Sequence, residues 1–240
     1  MMAARPPMTV HGWLRFDVVE RLVPDRVDSV LEIGAGVGAV GSLLAARYRY
    51  VGLEPDPESY EAARSQVGSE GTVLCVREED YGTDEQFDLV CAFEVLEHIE
   101  DDVAALRRWR RRIATDGSLI VSVPAGRDRF GPSDARQGHF RRYDREDLVA
   151  ALTGAGFVDV RALVYGFPIG YLLHAVSHAR ARRESHASTL DARTASSGRW
   201  MQPSRGTGRR LVAKPFAYLQ RPFSNTQLGT GLVARARVGR

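Results

Sequence analysis

The chain contains few groups for sulfur chemistry and almost no lysine. Its 240 residues hold two cysteines, Cys75 and Cys91, and both fall in stretches that read as buried strands. They are expected as small core residues rather than as a disulfide or part of a metal site, which suits a reducing cytoplasm. Lysine occurs once, at Lys214, with no tyrosine four residues before it. The Tyr-x-x-x-Lys chemistry of short-chain dehydrogenases is therefore excluded. The apolar stretch Leu163 to Val176 is fourteen residues long and broken by Pro168 and His174, too short to cross a bilayer. Met1 to Val10 lacks the apolar core of a secretory signal. His174 and His178 stand at helical i, i+4 spacing, but no glutamate follows His174 and no third ligand is evident, so no metal is expected.

The remaining composition, 44% hydrophobic and 26% charged in 26.5 kDa, suits one soluble α/β domain with room for an embellishment. The formal charge of +3 is unevenly distributed. Residues 165–227 carry ten basic side chains against Glu184 and Asp191, a balance of +8, leaving −5 on the rest of the chain. A basic surface can meet an anionic substrate or a membrane face, and no nucleic-acid partner is expected. Residues 183–208, rich in Ser, Arg, Thr and Gly, read as a mobile loop. Arg209 to Pro222 reads as a basic amphipathic helix bearing Leu211, Val212, Phe216 and Leu219, which either covers the substrate cleft or meets a membrane.

The densest information lies in Val30-Leu-Glu-Ile-Gly-Ala-Gly-Val-Gly-Ala-Val-Gly41. An apolar run from Val27 to Ile33 opens into glycines at 34, 36 and 38, and a helical pattern follows at Val40, Leu43 and Leu44. Such a strand, glycine turn and helix lets the backbone approach a nucleotide-like cofactor at the carboxyl end of a parallel sheet. The glycines also fit a dinucleotide fingerprint. A second strand, Tyr48 to Leu53, ends at Glu54, 20 residues after Gly34, where a carboxylate accepts both hydroxyls of a ribose. Acidic residues Glu32, Glu54, Glu78, Glu79, Asp80, Glu94 and Glu97 at the strand ends favour a sulfonium and an ammonium group and repel a pyrophosphate.

Glu32-x-Gly34-x-Gly36-x-Gly38, Glu54 and Phe87-Asp-Leu-Val-x-x-Phe-Glu-Val-Leu-Glu-His98 resemble the successive motifs of class I S-adenosylmethionine-dependent methyltransferases, over residues 27–124. Gly117 to Pro124 and Gly229 to Arg237 look like the fifth and last strands. His139-Phe-Arg-Arg-Tyr143 is similar to a subgroup related to ubiquinone-type O-methyltransferases. The resemblance implies a Rossmann-like α/β fold with a seven-stranded sheet, the last strand antiparallel, helices on both faces and a helical or disordered insert before the last strand. Residues 11–164 and 228–240 would form that core, 1–10 a flexible N-terminus and 165–227 the insert.

The same resemblance implies S-adenosylmethionine as cofactor. Gly34, Gly36 and Gly38 would contact its methionine half, with Glu32 orienting the loop and the amino group, Glu54 on the ribose, Glu79 on the adenine amine and Glu94 facing it from strand four. Asp88 is expected to stabilise the start of strand four. His98 is a candidate general base near neutral pH or a packing residue of a helix start, and His139 a second catalytic candidate. Arg141, Arg142 and Tyr143 either bind an anionic group of the acceptor or pin their loop to the acidic rim.

The expected reaction is methyl transfer to an oxygen, or a nitrogen, of a small metabolite in the cytoplasm. Two alternatives stand beside it: methylation of a lipid-linked or glycan substrate at a membrane surface, and a non-catalytic module that binds the cofactor and a partner. The excess of basic residues in 165–227 predicts weak binding to anionic vesicles at low salt. Co-sedimentation across a salt series should show that binding vanish at physiological ionic strength, where exposed charges are screened beyond about 8–10 Å.

Overall fold

Each apolar run becomes a strand of one sheet, and each capped, amphipathic stretch between them a helix. The computed structural model describes residues 8–171 and 209–239. In chain order these comprise α1 (Val10–Leu22), β1 (Ser29–Ile33), α2 (Gly41–Ala45), β2 (Arg49–Leu53), α3 (Pro57–Val67), β3 (Thr72–Leu74), β4 (Phe87–Phe93), α4 (Asp102–Arg111), β5 (Ile113–Pro124), α5 (Pro132–Gln137), α6 (Arg145–Gly154), β6 (Phe157–Tyr165), α7 (Arg209–Gln220) and β7 (Gly231–Val238). The sheet has seven strands in the order β3-β2-β1-β4-β5-β7-β6. β1 to β5 are parallel, and β7 runs antiparallel between β5 and β6. Two apolar clusters cover its two faces, one around Trp109, Phe87 and Leu96, the other around Leu14, Tyr50 and Tyr165. This is the α/β Rossmann-like methyltransferase sheet expected above.

Local chemistry explains the helix starts. Asp56 caps α3 by accepting from the Ser59 amide at 2.9 Å, with Pro57 in the first turn, and Asp101 caps α4 through the Ala104 amide at 2.9 Å. Each satisfies an amide that the helix leaves unpaired. Asp144 and Asp147 form a reciprocal capping box on α6. Asp88 serves the start of β4 as expected: its Oδ2 accepts from the amides of Asp28 and Ser29 and from the Ser29 hydroxyl, at 2.8–3.0 Å, locking β1 to β4.

Several expectations need correction. Met8 is buried, Thr9 Oγ1 accepts from the Gly12 amide at 3.0 Å and Val10 begins α1, so residues 8–10 belong to the folded unit; residues 1–7 lie outside the described residues. Cys75 lies one residue beyond β3 and is exposed, whereas Cys91 is buried. Ile113 begins β5, because α4 stops at Arg111 and the Ile113 side chain enters the core. Asp116 and Gly117 then sit at a register shift between β4 and β5.

The mobile loop expected near 183–208, with His174 and His178, lies outside the described residues. α7 forms where a basic helix was expected, but it packs on α1. Gln220 is buried, donating to the Leu14 carbonyl at 2.9 Å and accepting from the Gly166 amide at 3.0 Å, and Arg221 pairs with Asp17 at 2.7 Å. Leu219, assigned to an apolar face, is exposed. Among the described residues no helix is long and apolar enough to cross a membrane.

Because three donors depend on one partly buried carboxylate, Asp88→Ala should destabilise the fold by about 2 kcal/mol. The measurement is urea unfolding, with a lower midpoint at unchanged slope.

Candidate active site

The loops after β1, β2, β4 and β5 all leave the same edge of the sheet, the carboxyl edge of its parallel strands. On that edge the glycine loop is tied to β2: the amides of Gly34 and Ala35 both donate to the Leu53 carbonyl at 2.9 Å. Gly34, Gly36 and Gly38 all have positive φ. At Gly34 a Cβ would meet Val95 Cγ2 at 2.5 Å, whereas at Gly36 it would meet nothing within 4 Å. Gly34 is thus held by a close approach of β4's loop, and Gly36 by backbone conformation beside open space. Glu54 reaches over this loop, accepting from the Gly36 amide at 2.7 Å and from the Asp56 amide at 3.0 Å. Burial raises its pKa, and these two amides oppose the rise.

Glu32 lies beneath the loop, 2% exposed, accepting from the Tyr50 hydroxyl at 2.6 Å. Burial pushes its pKa to about 7, against the pull of Tyr50 and Arg15. It is therefore a buried partner of Tyr50 at the base of the site. Glu79, expected at an adenine amine, is largely exposed and pairs with Arg108 Nη2 at 2.9 Å. Arg108 Nε also holds the buried Glu78 at 3.2 Å, so both acids are engaged with α4.

At the end of β4, Glu94 adopts φ 58°, a conformation uncommon outside glycine. Its Oε1 accepts from the Ser122 hydroxyl at 2.8 Å and the Tyr165 hydroxyl at 3.2 Å, and pairs with Arg15 Nη1 at 3.5 Å. Arg15 and His11 both come from α1, one helical turn apart. His11 stacks on Tyr165 at 5.0 Å, and burial pushes its pKa down to about 4, so it is neutral at physiological pH. α1 therefore borders the site directly, with α7 behind it. His11, Arg15 and Tyr165 were missed from sequence, where the i, i+4 pair of polar residues beside the apolar Leu14 and Val18 was the available signal.

The segment after β5 makes an excursion through α5 and returns to the sheet edge, where Tyr143 and Ala125 form a bridge. The Phe140 amide donates to the Glu97 carbonyl at 2.8 Å, which brings His139 against His98 with ring centroids 4.6 Å apart and planes perpendicular. Asp134 of α5, fully buried, accepts from His139 Nδ1 at 3.1 Å, from Arg142 Nε at 2.8 Å and from the Gly131 amide at 2.9 Å. Burial opposes its ionisation, but His139, Arg142 and Gly131 together hold its carboxyl well below the usual range. Burial and the neighbouring His139 push the His98 pKa down. Asp134 and Glu97 were not identified from sequence as partners of His139.

Of the two roles expected for Arg141, Arg142 and Tyr143, acceptor binding or pinning of the loop, the contacts present are pinning contacts. Arg142 is 5% exposed and ion-paired with Asp134. Tyr143 is 2% exposed and donates to Asp102 Oδ2 at 2.7 Å. Arg141 pairs with Asp102 at 2.9 Å and bonds the Glu100 carbonyl. Arg141 and Tyr143 pin their loop to the start of α4, and Arg142 pins it to α5. Thus the structure brings His98, His139 and Glu94 to one edge with the glycine loop and Glu54, and turns Arg142 and Tyr143 inward.

The burial of Glu32 predicts a pH signature. A carboxyl that stays protonated to about pH 7 when folded, against an ordinary value of 4.5, makes stability fall as pH rises between those values, by up to about 3 kcal/mol. Glu32→Gln, which can still accept from Tyr50, should flatten stability over that window in pH-dependent denaturation.

Comparisons with known proteins fit this geometry. Residues 13–162 match the family described as "Methyltransferase domain". Over 148 residues, 60% of this chain and 54% of the relative, the chain is 31% identical to a "Probable S-adenosylmethionine-dependent methyltransferase" of Mycobacterium tuberculosis. Over 99 residues, 39% of each protein, it is 35% identical to a ubiquinone biosynthesis O-methyltransferase of Azorhizobium caulinodans. The aligned part spans about half of these relatives' length or less. The fold is shared with N-methyltransferase NodS from Bradyrhizobium japonicum, solved with S-adenosylhomocysteine, at a TM-score of 0.56 and 17% identity over 96% of this chain and 86% of that one.

Proposed function

The chain belongs to the S-adenosylmethionine-dependent methyltransferases of the methyltransferase-domain family, and from that membership we propose that it transfers a methyl group to an oxygen of a small hydroxylated metabolite. The residues present fit the family's cofactor, S-adenosylmethionine. Gly36 borders open space where any side chain would intrude, and Glu54, 18 residues further on, holds the loop that would cradle the methionine half. Glu54 would also hold the ribose. Bound there, the cofactor supplies a methyl group already activated by its sulfonium.

The protein's contribution to such a reaction is chiefly alignment, together with removal of the acceptor's proton. The observation that carries the choice of oxygen is the paired imidazoles of His98 and His139 beside the end of β4. Nδ1 of His139 is bonded to the ionised Asp134, and whenever that ring is neutral its Nε2 offers a lone pair to the acceptor side. A hydroxyl needs such help, because it is a weak nucleophile until its proton is lost. Arg15, held by Glu94, places a cation at the α1 side of the same cleft, where it suits an acceptor with an oxygen-rich or anionic group. The ubiquinone-type relatives methylate oxygen according to their names, and this supports the same reading.

The test is incubation of the full chain with S-adenosylmethionine and a panel of small hydroxylated compounds, followed by mass spectrometry for methylated product and S-adenosylhomocysteine. Product from amines alone would overturn the choice of oxygen. In calorimetry, Glu54→Ala should weaken S-adenosylmethionine binding by about 2–3 kcal/mol, since charged hydrogen bonds to the ribose and the loop are lost together. NAD should not bind. An unchanged dissociation constant in a folded Glu54→Ala protein would place the ribose elsewhere.

A further inference from the structure

Two arginines on the last two strands face each other with nothing to offset their charge. β6 and β7 run antiparallel, and their register sets Arg161 directly opposite Arg235, with Ile120 of β5 next in the same row. Ile120, Leu163 and Val233 face the side of the sheet that α1 covers, and strand alternation puts both arginines on that side too. Arg161 stands four residues, roughly 13 Å, before Tyr165, so the pair lies away from the edge that carries the glycine loop and Glu94. We propose that Arg161 and Arg235 form a binding site for a phosphate group, separate from the site described above.

Electrostatics disfavours this pair unless something lies between. Side chains directly opposite in an antiparallel pair have Cβ atoms about 5 Å apart, where like charges destabilise. Arg237, next along β7 on the same side, shows how the fold meets this elsewhere: its Nη1 pairs with Asp159 at 3.2 Å and its Nη2 with Asp116 at 3.4 Å. Asp159 sits at a register shift just before Arg161, with φ 51°, yet its carboxylate goes to Arg237. Among the described residues, the side chains of Arg161 and Arg235 have no acidic or hydrogen-bonding partner. Arg235 also keeps its Nε shut off from solvent with the proton unpaired, which is costly in a folded protein. One anion between the two guanidiniums would relieve both costs.

The donors select the ligand. Each guanidinium is a planar fork that gives two parallel N–H groups to two oxygens. A carboxylate has two oxygens and one charge, which a single fork uses up. A terminal phosphate has three free oxygens and close to two charges, so it accepts from both forks at once. Arg161 is exposed, which opens the pair to a ligand from solution. Arg161, Arg235 and Arg237 against Asp116 and Asp159 leave a local charge of +1, a field that still draws an anion. β6 is the outermost strand, and a bridging phosphate would fasten it to β7. None of this depends on the methyl-transfer reading.

The full chain, in phosphate-free buffer at low salt, is titrated with inorganic pyrophosphate by calorimetry and by nuclear magnetic resonance of the arginine Nε–H groups, with chloride at matched ionic strength as control. One equivalent should bind, the Arg235 Nε–H signal should shift, and the melting temperature should rise with pyrophosphate but not with chloride. Arg161→Gln and Arg235→Met keep the apolar stems and should each weaken binding by about tenfold or more. Each also removes a like-charge conflict, so neither should melt below the parent protein when phosphate is absent. S-adenosylmethionine affinity should be unchanged in both, which certifies the fold. Vesicles of phosphatidylcholine with phosphatidic acid, at physiological salt, present the same group on a lipid. Binding to them that is lost in Arg161→Gln assigns the phosphate to a headgroup, and binding of pyrophosphate alone assigns it to a soluble ligand. Absence of saturable binding to either probe, or affinity unchanged in both variants, overturns the site. A lower melting temperature of both variants without phosphate overturns it as well.

Discussion

A single carboxylate oxygen, Glu94 Oε1, joins four elements: it belongs to the end of β4 and takes Ser122 of β5, Tyr165 of β6 and Arg15 of α1. Everything on the acceptor side follows from that convergence. Ser122 sets the height of β5 against β4, so the chain leaving β5 can return with His139. Tyr165 and Arg15 draw α1 down onto the sheet edge, which gives the site its wall. The unusual backbone conformation of Glu94 turns the chain sharply, so that Glu97 and His98 follow within one turn. A charge in this partly buried place needs its cation and its donors together, and removing either leaves the other uncompensated.

The cofactor side obeys a different constraint. There the backbone does the work, through three glycines in left-handed conformations and the amides of Gly34 and Ala35 on one carbonyl. Among side chains, Glu54 holds the loop from above by accepting from the Gly36 amide, while Glu32 and Tyr50 are paired in the core below. The two sides meet at β4, whose two ends carry Asp88, tying it to β1, and Glu94, tying it to β5, β6 and α1.

This division explains what could be read from the sequence. The sheet was legible because its strands are apolar runs bounded by glycines and capping acids, and because Gly34 to Gly38 followed by Glu54 is a local pattern with a local cause. Asp88 could be placed for the same reason. The acceptor side was legible only as a list of residue types. That Arg142 and Tyr143 face inward depends on Asp134 and Asp102, 8 and 41 residues away, and no periodicity reports such pairing. Cys75 was misplaced by one residue of strand boundary, where the end of a short strand is decided by packing rather than propensity.

The separations along the chain differ as sharply as the chemistry. Glu54 and Gly36, which frame the cofactor loop, are 18 residues apart, whereas the bond that seats α7 on α1, from Gln220 to Leu14, joins residues 206 apart. Closing the larger loop costs more chain entropy and returns nothing until both ends arrive. The contact between α1 and α7 thus has little local support. It forms only once both ends of the chain are in place, whereas the glycine loop is closed by neighbours in sequence.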